Sequence, residues 1–213
     1  MEFTLKQEKT FRYEILNESA QAKTVLYVLH GYGQLVKFFI QKFKTLDKDV
    51  LIVAPEGMHR FYLRGTSGRV GASWMTKEAR EIDIQDNLNY LNKIDSLISS
   101  EFPIVNRHLL GFSQGGATAL RWKMDQKIQF NSTIIWGSDF PREQEWPIPF
   151  KREKKNYFLV GDEDEFFNDE TRSQLTEYYL SLGFNIEIYA GKHDIEIKTL
   201  QKLLAQIKSS VLA

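Results

Sequence analysis

The chain has 213 residues, with 28 Lys+Arg against 28 Asp+Glu, so its formal charge is zero. That argues against an electrostatically driven nucleic-acid binder, which carries a basic excess or stripe. There is no cysteine, which excludes disulfide scaffolds, Cys-based zinc sites and a cysteine nucleophile. No stretch approaches the ~18 apolar residues of a membrane span, so stable membrane insertion is not expected. The opening MEFTLKQEKTFRYEIL lacks the apolar core of a secretory signal, and a cytoplasmic protein is expected. At ~100–200 residues per domain, one domain over residues 1–213 is the simplest account.

In chain order, residues 3–5 and 11–16 alternate polar and apolar, which predicts two antiparallel strands joined by a charged turn at 7–10. The pattern then changes to short, nearly continuous apolar runs, as expected for strands covered on both faces. These are VLYVL at 25–29, VLIVA at 50–54, RHLLGF at 107–112, STIIW at 132–136, NYFLV at 156–160 and NIEIYA at 185–190. Helical periodicity lies between them. Ile84, Leu88, Leu91, Ile94 and Leu97 mark one helix face; Ala117, Leu120, Arg121 and Met124 follow the 107–112 strand. A weaker helix runs from about 168 to 182 and stops before Gly183. Leu200, Leu203, Leu204, Ile207 and Val211 form a last apolar stripe, with Lys198, Lys202 and Lys208 as its solvated side. Strands alternating with helices imply an α/β fold: a mostly parallel central sheet with helices on both faces and an antiparallel N-terminal hairpin. Ligands bind such sheets beyond the carboxyl ends of the strands.

Four strand ends carry Gly-rich turns: His30-Gly31-Tyr32-Gly33, Gly111-Phe112-Ser113-Gln114-Gly115-Gly116, Gly161-Asp162-Glu163-Asp164 and Gly191-Lys192-His193. A Ser, an Asp and a His thus follow in that chain order. G-x-S-x-G between a strand and a helix marks a tight turn that lifts a serine into an exposed, strained position. A free serine needs a base to take its proton, an imidazole can do so, and a carboxylate fixes the imidazole tautomer.

Of four histidines, His30 precedes the serine, His59 falls in a long loop and His108 inside a strand. His193, between the last strand and the last helix, is the candidate base. The acid is open among Asp162, Asp164 and Asp169 near one strand end, with Asp139 after the preceding strand as a substitute. Oxyanion stabilisation calls for backbone N–H groups, expected from Gln114 after the nucleophile and from Tyr32 in the first Gly-rich turn. Four dispersed histidines offer no metal site, and no cofactor is implied.

These residues resemble an α/β-hydrolase, and more narrowly the phospholipase/carboxylesterase family, which includes acyl-protein thioesterases and small bacterial carboxylesterases. The matching strings are LHGYG at 29–33, GFSQGG at 111–116, GDED at 161–164 and GKHDI at 191–195, supported by Pro55, GASW at 71–74 and DFP at 139–141. The resemblance spans about residues 23–208 and implies an α/β-hydrolase fold without a large lid domain. It implies Ser113 as nucleophile, His193 as base, and Tyr32 and Gln114 at the oxyanion positions. The family's Gly-x-x-Asp pattern selects Asp164 over Asp162. Where the family commonly continues Asp-Pro-Val, this chain has Asp164-Glu165-Phe166.

Residues 57–76 contain no Asp or Glu but carry His59, Arg60, Arg64 and Arg69, with Phe61, Tyr62 and Trp74 interleaved. One of these arginines is a candidate for orienting an anionic substrate. Trp136, Phe140, Trp146 and Phe150 are candidates for the wall of an acyl pocket. The expected activity is hydrolysis of a small-molecule carboxylic ester, thioesters included, through an acyl-enzyme. The alternatives are a non-catalytic or narrowly specific ligand-binding protein on the same fold, and a dienelactone-hydrolase-like lactonase, which typically uses the cysteine this chain lacks.

Overall fold

The apolar runs alternate between two faces. Val25, Tyr27 and Leu29 enter one core, while Leu26 and Val28 enter the other; Leu51 and Val53 oppose Ile52 and Ala54 in the same way. Period-two side-chain direction therefore turns each run into a two-sided strand. The structure is a computed structural model that describes residues 3–141 and 155–209. Its elements are β1 (Tyr13–Leu16), β2 (Thr24–Leu29), α1 (Val36–Phe39, continued by a 3-10 turn at Ile40–Phe43), β3 (Val50–Pro55), β4 (His59–Tyr62), β5 (Val70–Ser73) and α2 (Arg80–Glu101). Then follow β6 (Asn106–Phe112), α3 (Gln114–Met124), β7 (Ser132–Trp136), β8 (Asn156–Gly161), α4 (Asp169–Ser181), β9 (Asn185–Tyr189) and α5 (Ile197–Ser209).

Among the described residues, seven strands form one sheet in the order β1-β3-β2-β6-β7-β8-β9, parallel except for β1, which runs antiparallel to β3. Helices α2, α3 and α4 cover one face, where Ile84, Leu88, Leu91, Ile94, Ala119, Leu120, Leu175 and Tyr179 are buried. Helices α1 and α5 cover the other through Val36, Phe39, Leu200, Leu203 and Ile207. This is the α/β-hydrolase architecture. The α2 stripe continues through buried Ile98, while Leu97 is 38% exposed: successive steps of three drift around a 3.6-residue helix. The Asn168 side chain caps α4 by accepting from the Thr171 N–H, and Gly183 ends that helix at φ 87°. No helix among the described residues is long and apolar enough to cross a membrane.

Two expectations change. Of the two N-terminal strands only β1 forms, and it pairs with β3, Tyr13 opposite Pro55 and Leu16 opposite Ile52. Residues 3–12 hold no strand, and Phe3 and Leu5 are 83% and 88% exposed. With no layer over them, burial cannot offset the entropy of ordering. The stretch 57–76, expected as a loop, folds instead around an antiparallel hairpin of β4 and β5. A bridge between Gln34 and Ala72 fastens it to the turn after β2.

Beneath the sheet, His108 on β6 is 8% exposed and its Nδ1 lies 2.7 Å from the Ser132 hydroxyl. Burial, and then the nearby Lys155 and Lys208, lower its pKa from 6.5 to about 4. A folded-state value below the unfolded one means that the unfolded chain binds the extra proton first. The contribution is complete above pH ~6.5 and is lost as pH falls toward 4. We expect His108 to cost about 1–2 kcal/mol of stability between pH 7 and pH 5. Urea unfolding at the two pH values checks this, and the pH difference should shrink in His108→Gln.

Candidate active site

The chain leaves β2 on one side to form β3, then returns to the other side of β2 as β6. The strand order reverses there, and a crevice opens between the carboxyl ends of β2 and β6, the place where α/β sheets bind ligands. The turn at 30–34 stands at one lip and Ser113 at the other.

Ser113 adopts φ 53°, ψ −124°, a strained conformation for a residue with a side chain. It stands directly between β6 and α3. The turn is possible because its neighbours are glycines. A Cβ on Gly115 would lie 2.3 Å from the Leu29 carbonyl oxygen, and one on Gly111 would lie 2.5 Å from that of Gly115. The first turn of α3 thereby rests on the end of β2, and the Gln114 N–H stands at the helix N-terminus, where the helix supplies no acceptor.

His193 follows β9 and Asp164 follows β8. Their side chains meet at 2.7 Å, His193 Nδ1 to Asp164 Oδ2. A carboxylate only accepts, so Nδ1 carries the proton and Nε2 presents its lone pair. The second Asp164 oxygen accepts from the Phe166 N–H at 3.0 Å, and the carboxylate is buried. The imidazole is walled by Phe112 and Phe166, with ring centroids at 4.9 and 4.4 Å. Gly137, at φ 53°, passes so close that a Cβ would lie 3.1 Å from His193 Cε1. Ser113, Gly137, Ser138, Phe166, Phe167 and His193 line one cavity of about 360 Å³. The structure thus brings together Ser113, Asp164 and His193 from three strand ends.

The other acids have structural partners. Asp162 accepts the Gly191 N–H at 2.9 Å and ties the two loops to one another. Asp169 pairs with Arg172 in the first turn of α4. Asp139 accepts from the Phe140 N–H at 2.8 Å and lies on the cavity wall.

The turn after β2 is held by three N–H groups: Gly31 to the Gln34 side chain at 2.9 Å, Gly33 to Ala72 at 2.8 Å and Gln34 to Gly31 at 3.3 Å. The Tyr32 N–H takes no part in that bonding, and its ring is exposed against Phe61 at 5.0 Å. Gln114 is tied to the strand end of β5: its side chain donates to Met75 O at 2.9 Å and accepts from the Trp74 N–H at 3.1 Å. His30 is buried between these parts. Its Nδ1 donates to Gly31 O at 2.8 Å and its Nε2 accepts the Gly57 N–H at 2.9 Å. Burial pulls its pKa to about 4 and keeps it neutral; it is a brace, with both ring nitrogens occupied.

The expected substrate residues divide. Trp74 and Trp136 are fully buried and offer no surface to a ligand. The Trp74 indole donates to His30 O at 2.8 Å, fixing the turn after β2. Trp136 donates to the Tyr189 hydroxyl at 2.9 Å, which donates in turn to Asp194 O at 2.6 Å, beneath the loop that carries His193. Arg60 sits on β4 with its Nε 3.7 Å from Glu56, while Arg64 and Arg69 lie exposed in the hairpin turn. None of the three lines the cavity of Ser113 and His193; Arg69 lines a separate hollow with Phe38 and Lys42. Phe140 does reach a wall, and Trp146 and Phe150 lie outside the described residues.

That wall belongs to a second cavity of about 540 Å³, which shares Gln114, Ala117 and Asp139 with the first. Lys77, Arg80 and Arg121 complete it, residues that the sequence reading did not single out as ligand-facing. For Arg121 alone the sequence holds a signal, the spacing Gln114, Ala117, Arg121, which is one helix face starting beside the serine. Arg121 is 4% exposed, and burial, with Arg80 nearby, lowers its pKa only to about 10, so it stays charged at neutral pH.

Fold and site geometry define an α/β-hydrolase. The sequence model of the Phospholipase/Carboxylesterase family matches residues 12–211, and the chain belongs to that family. No curated protein sequence matches it. Among solved structures it resembles a carboxylesterase from Mesorhizobium loti (TM-score 0.73, 15% identity, 92% of this chain and 94% of that one). It also resembles the Bacillus cereus carboxylesterase (0.68, 13%, 93% and 94%) and Zea mays acyl-protein thioesterase 2 (0.67, 18%, 92% and 98%).

The contact of α3 with β2 should be intolerant of a single methyl. We expect Gly115→Ala to destabilise the fold by about 1–3 kcal/mol, read as a lowered urea midpoint.

Proposed function

We propose that the chain is a serine hydrolase of small-molecule carboxylic esters, thioesters included, acting as one domain and without a cofactor. The reading rests above all on the 2.7 Å contact of His193 Nδ1 with Asp164, facing the same cavity as a serine held at φ 53°. Ser113 Oγ attacks the acyl carbon while His193 Nε2 takes its proton. Asp164 holds the tautomer and stabilises the imidazolium that forms. The oxygen that becomes negative is held by the backbone N–H groups of Tyr32 and Gln114, the second aided by the dipole of α3. The carbon–oxygen or carbon–sulfur bond to the leaving group then breaks, and His193 returns its proton to that group. Water repeats the sequence on the acyl-enzyme, releasing the acid and restoring Ser113.

A fluorophosphonate probe should label Ser113 and nothing else. Hydrolysis of p-nitrophenyl esters from acetate to decanoate should be lost in folded Ser113→Ala and His193→Ala. In Asp164→Asn, turnover should fall ~10²–10⁴-fold. Retained turnover in a folded Ser113→Ala variant would falsify the mechanism.

A further inference from the structure

The imidazole of His193 lies against two phenyl rings that differ in exposure. Phe112, with its ring centroid 4.9 Å from that of His193, is 3% exposed and belongs to the core under α1 and α5. Phe166, at 4.4 Å and tilted by 51°, is 69% exposed. Phe167 stands 6.3 Å from His193, half-buried, and packs against the core on the side of α3 and α4. Among the described residues, Phe166 is thus the ring that both lies on His193 and offers an open face. It lines the cavity of about 360 Å³ that holds Ser113.

The Phe166 N–H donates to Asp164 Oδ1 at 3.0 Å, and Asp164 Oδ2 accepts from His193 Nδ1 at 2.7 Å. One buried carboxylate therefore positions both the imidazole and the residue whose ring lies on it. The Phe167 N–H, bonded to Asp164 O at 3.1 Å, closes the turn. An apolar ring left uncovered gains when another apolar surface replaces water on it.

The reaction decides which half of a substrate meets that ring. Nδ1 is engaged, so Nε2 delivers the proton, and the leaving oxygen must come within about 3 Å of it. The leaving group is the half that must touch His193, and Phe166 is the open surface against His193. An aromatic ring carried close to the leaving oxygen can settle at the centroid separation of about 4.5–7 Å over which rings attract one another. A cavity of about 150 Å³ holds a benzene ring, so the cavity at Ser113 leaves space for the ester group as well.

Resting on the serine-hydrolase reading, we infer that Phe166 determines leaving-group specificity: it stacks on an aromatic ring in the alcohol half of the substrate, and the enzyme hydrolyses arylmethyl esters in preference to alkyl esters of the same size. The leaving alcohol oxygen takes the proton that His193 removed from Ser113, and water then releases the acid from the serine. The net reaction adds water across the acyl–oxygen bond and yields an acid and an aromatic alcohol.

The test compares benzyl acetate with cyclohexylmethyl acetate, esters of two primary alcohols of like size and similar acidity, following acid release by titration at constant pH. The cyclohexyl ring is the more hydrophobic, so plain apolar burial favours it and ring stacking favours benzyl. Wild type should favour benzyl acetate in kcat/KM by ~3–10-fold, a ratio that Phe166→Leu brings to about 1 or below and Phe166→Tyr keeps. Ethyl phenylacetate and ethyl cyclohexylacetate, which carry the same rings on the acyl half, should show no such preference. A merely structural role for Phe166, holding His193 in place, lowers both rates alike and leaves the ratio unmoved. If Phe166→Leu does not fold, product inhibition of wild type carries the test: benzyl alcohol should inhibit at a lower concentration than cyclohexylmethanol, and an equal or reversed order overturns the assignment. Equal or better turnover of the cyclohexylmethyl ester by wild type also overturns it, as does a ratio unchanged in folded Phe166→Leu or a phenyl preference of equal size in the acyl pair. In those cases fluorophosphonate labelling of Ser113 and hydrolysis of the esters persist, and the serine-hydrolase reading stands. A chain that takes no label and hydrolyses none of the four esters overturns both.

Discussion

The first turn of α3 lies against the carbonyls that end β2, and only a residue without a side chain fits there, 2.3 Å being the clearance left for a Cβ at Gly115. Most of the candidate site hangs on that approach. It brings the Gln114 N–H to the crevice across from the turn that carries Tyr32. It holds Ser113 in its strained backbone, since Gly111 packs against Gly115 and Gly116 from below. It also puts the Gln114 side chain within reach of Ser73, Trp74 and Met75, which locks the β5 strand end over the helix start.

Around this contact the protein uses polar groups as fixed struts. His30 spends both ring nitrogens on backbone, Trp74 spends its indole N–H on His30 O, and Trp136 and Tyr189 together hold the loop of His193 from beneath. Each is buried, and each would be costly to leave unpaired. The mobile chemistry assigned to Ser113 and His193 therefore sits on a frame whose own hydrogen bonds are already spoken for. The aromatic walls from Phe112 and Phe166 add shape around the imidazole without adding competing donors.

Much of this was legible in the amino-acid order because local chemistry and global fold agree. Period-two apolar runs became two-sided strands, and the glycines of GFSQGG had one steric use. The chain order Ser, Asp, His follows the ends of β6, β8 and β9, although the choice of Asp164 over Asp162 leaned on the family pattern. Other parts depend on partners distant in sequence. Phe3 and Leu5 alternate like a strand but find no layer to cover them. Trp74 and Trp136 read as pocket walls because aromatics near strand ends do line pockets; their burial follows from neighbours on other strands. Arg121 read as one member of a helix face, and its position under a cavity became visible only once β7 and the segment at 75–80 were packed against α3.

Ser113, Asp164 and His193 come from the loops after β6, β8 and β9, separated by up to 80 positions in sequence, Ser113 to His193. Parallel strands are joined by long crossovers, so these contacts are non-local. Until β8 and β9 have docked, Ser113 stands in its turn without an imidazole beside it. On the proposed mechanism a partly assembled chain is in that sense inert: a serine without its base attacks nothing, and the capacity to cleave an ester becomes a property of the finished sheet alone.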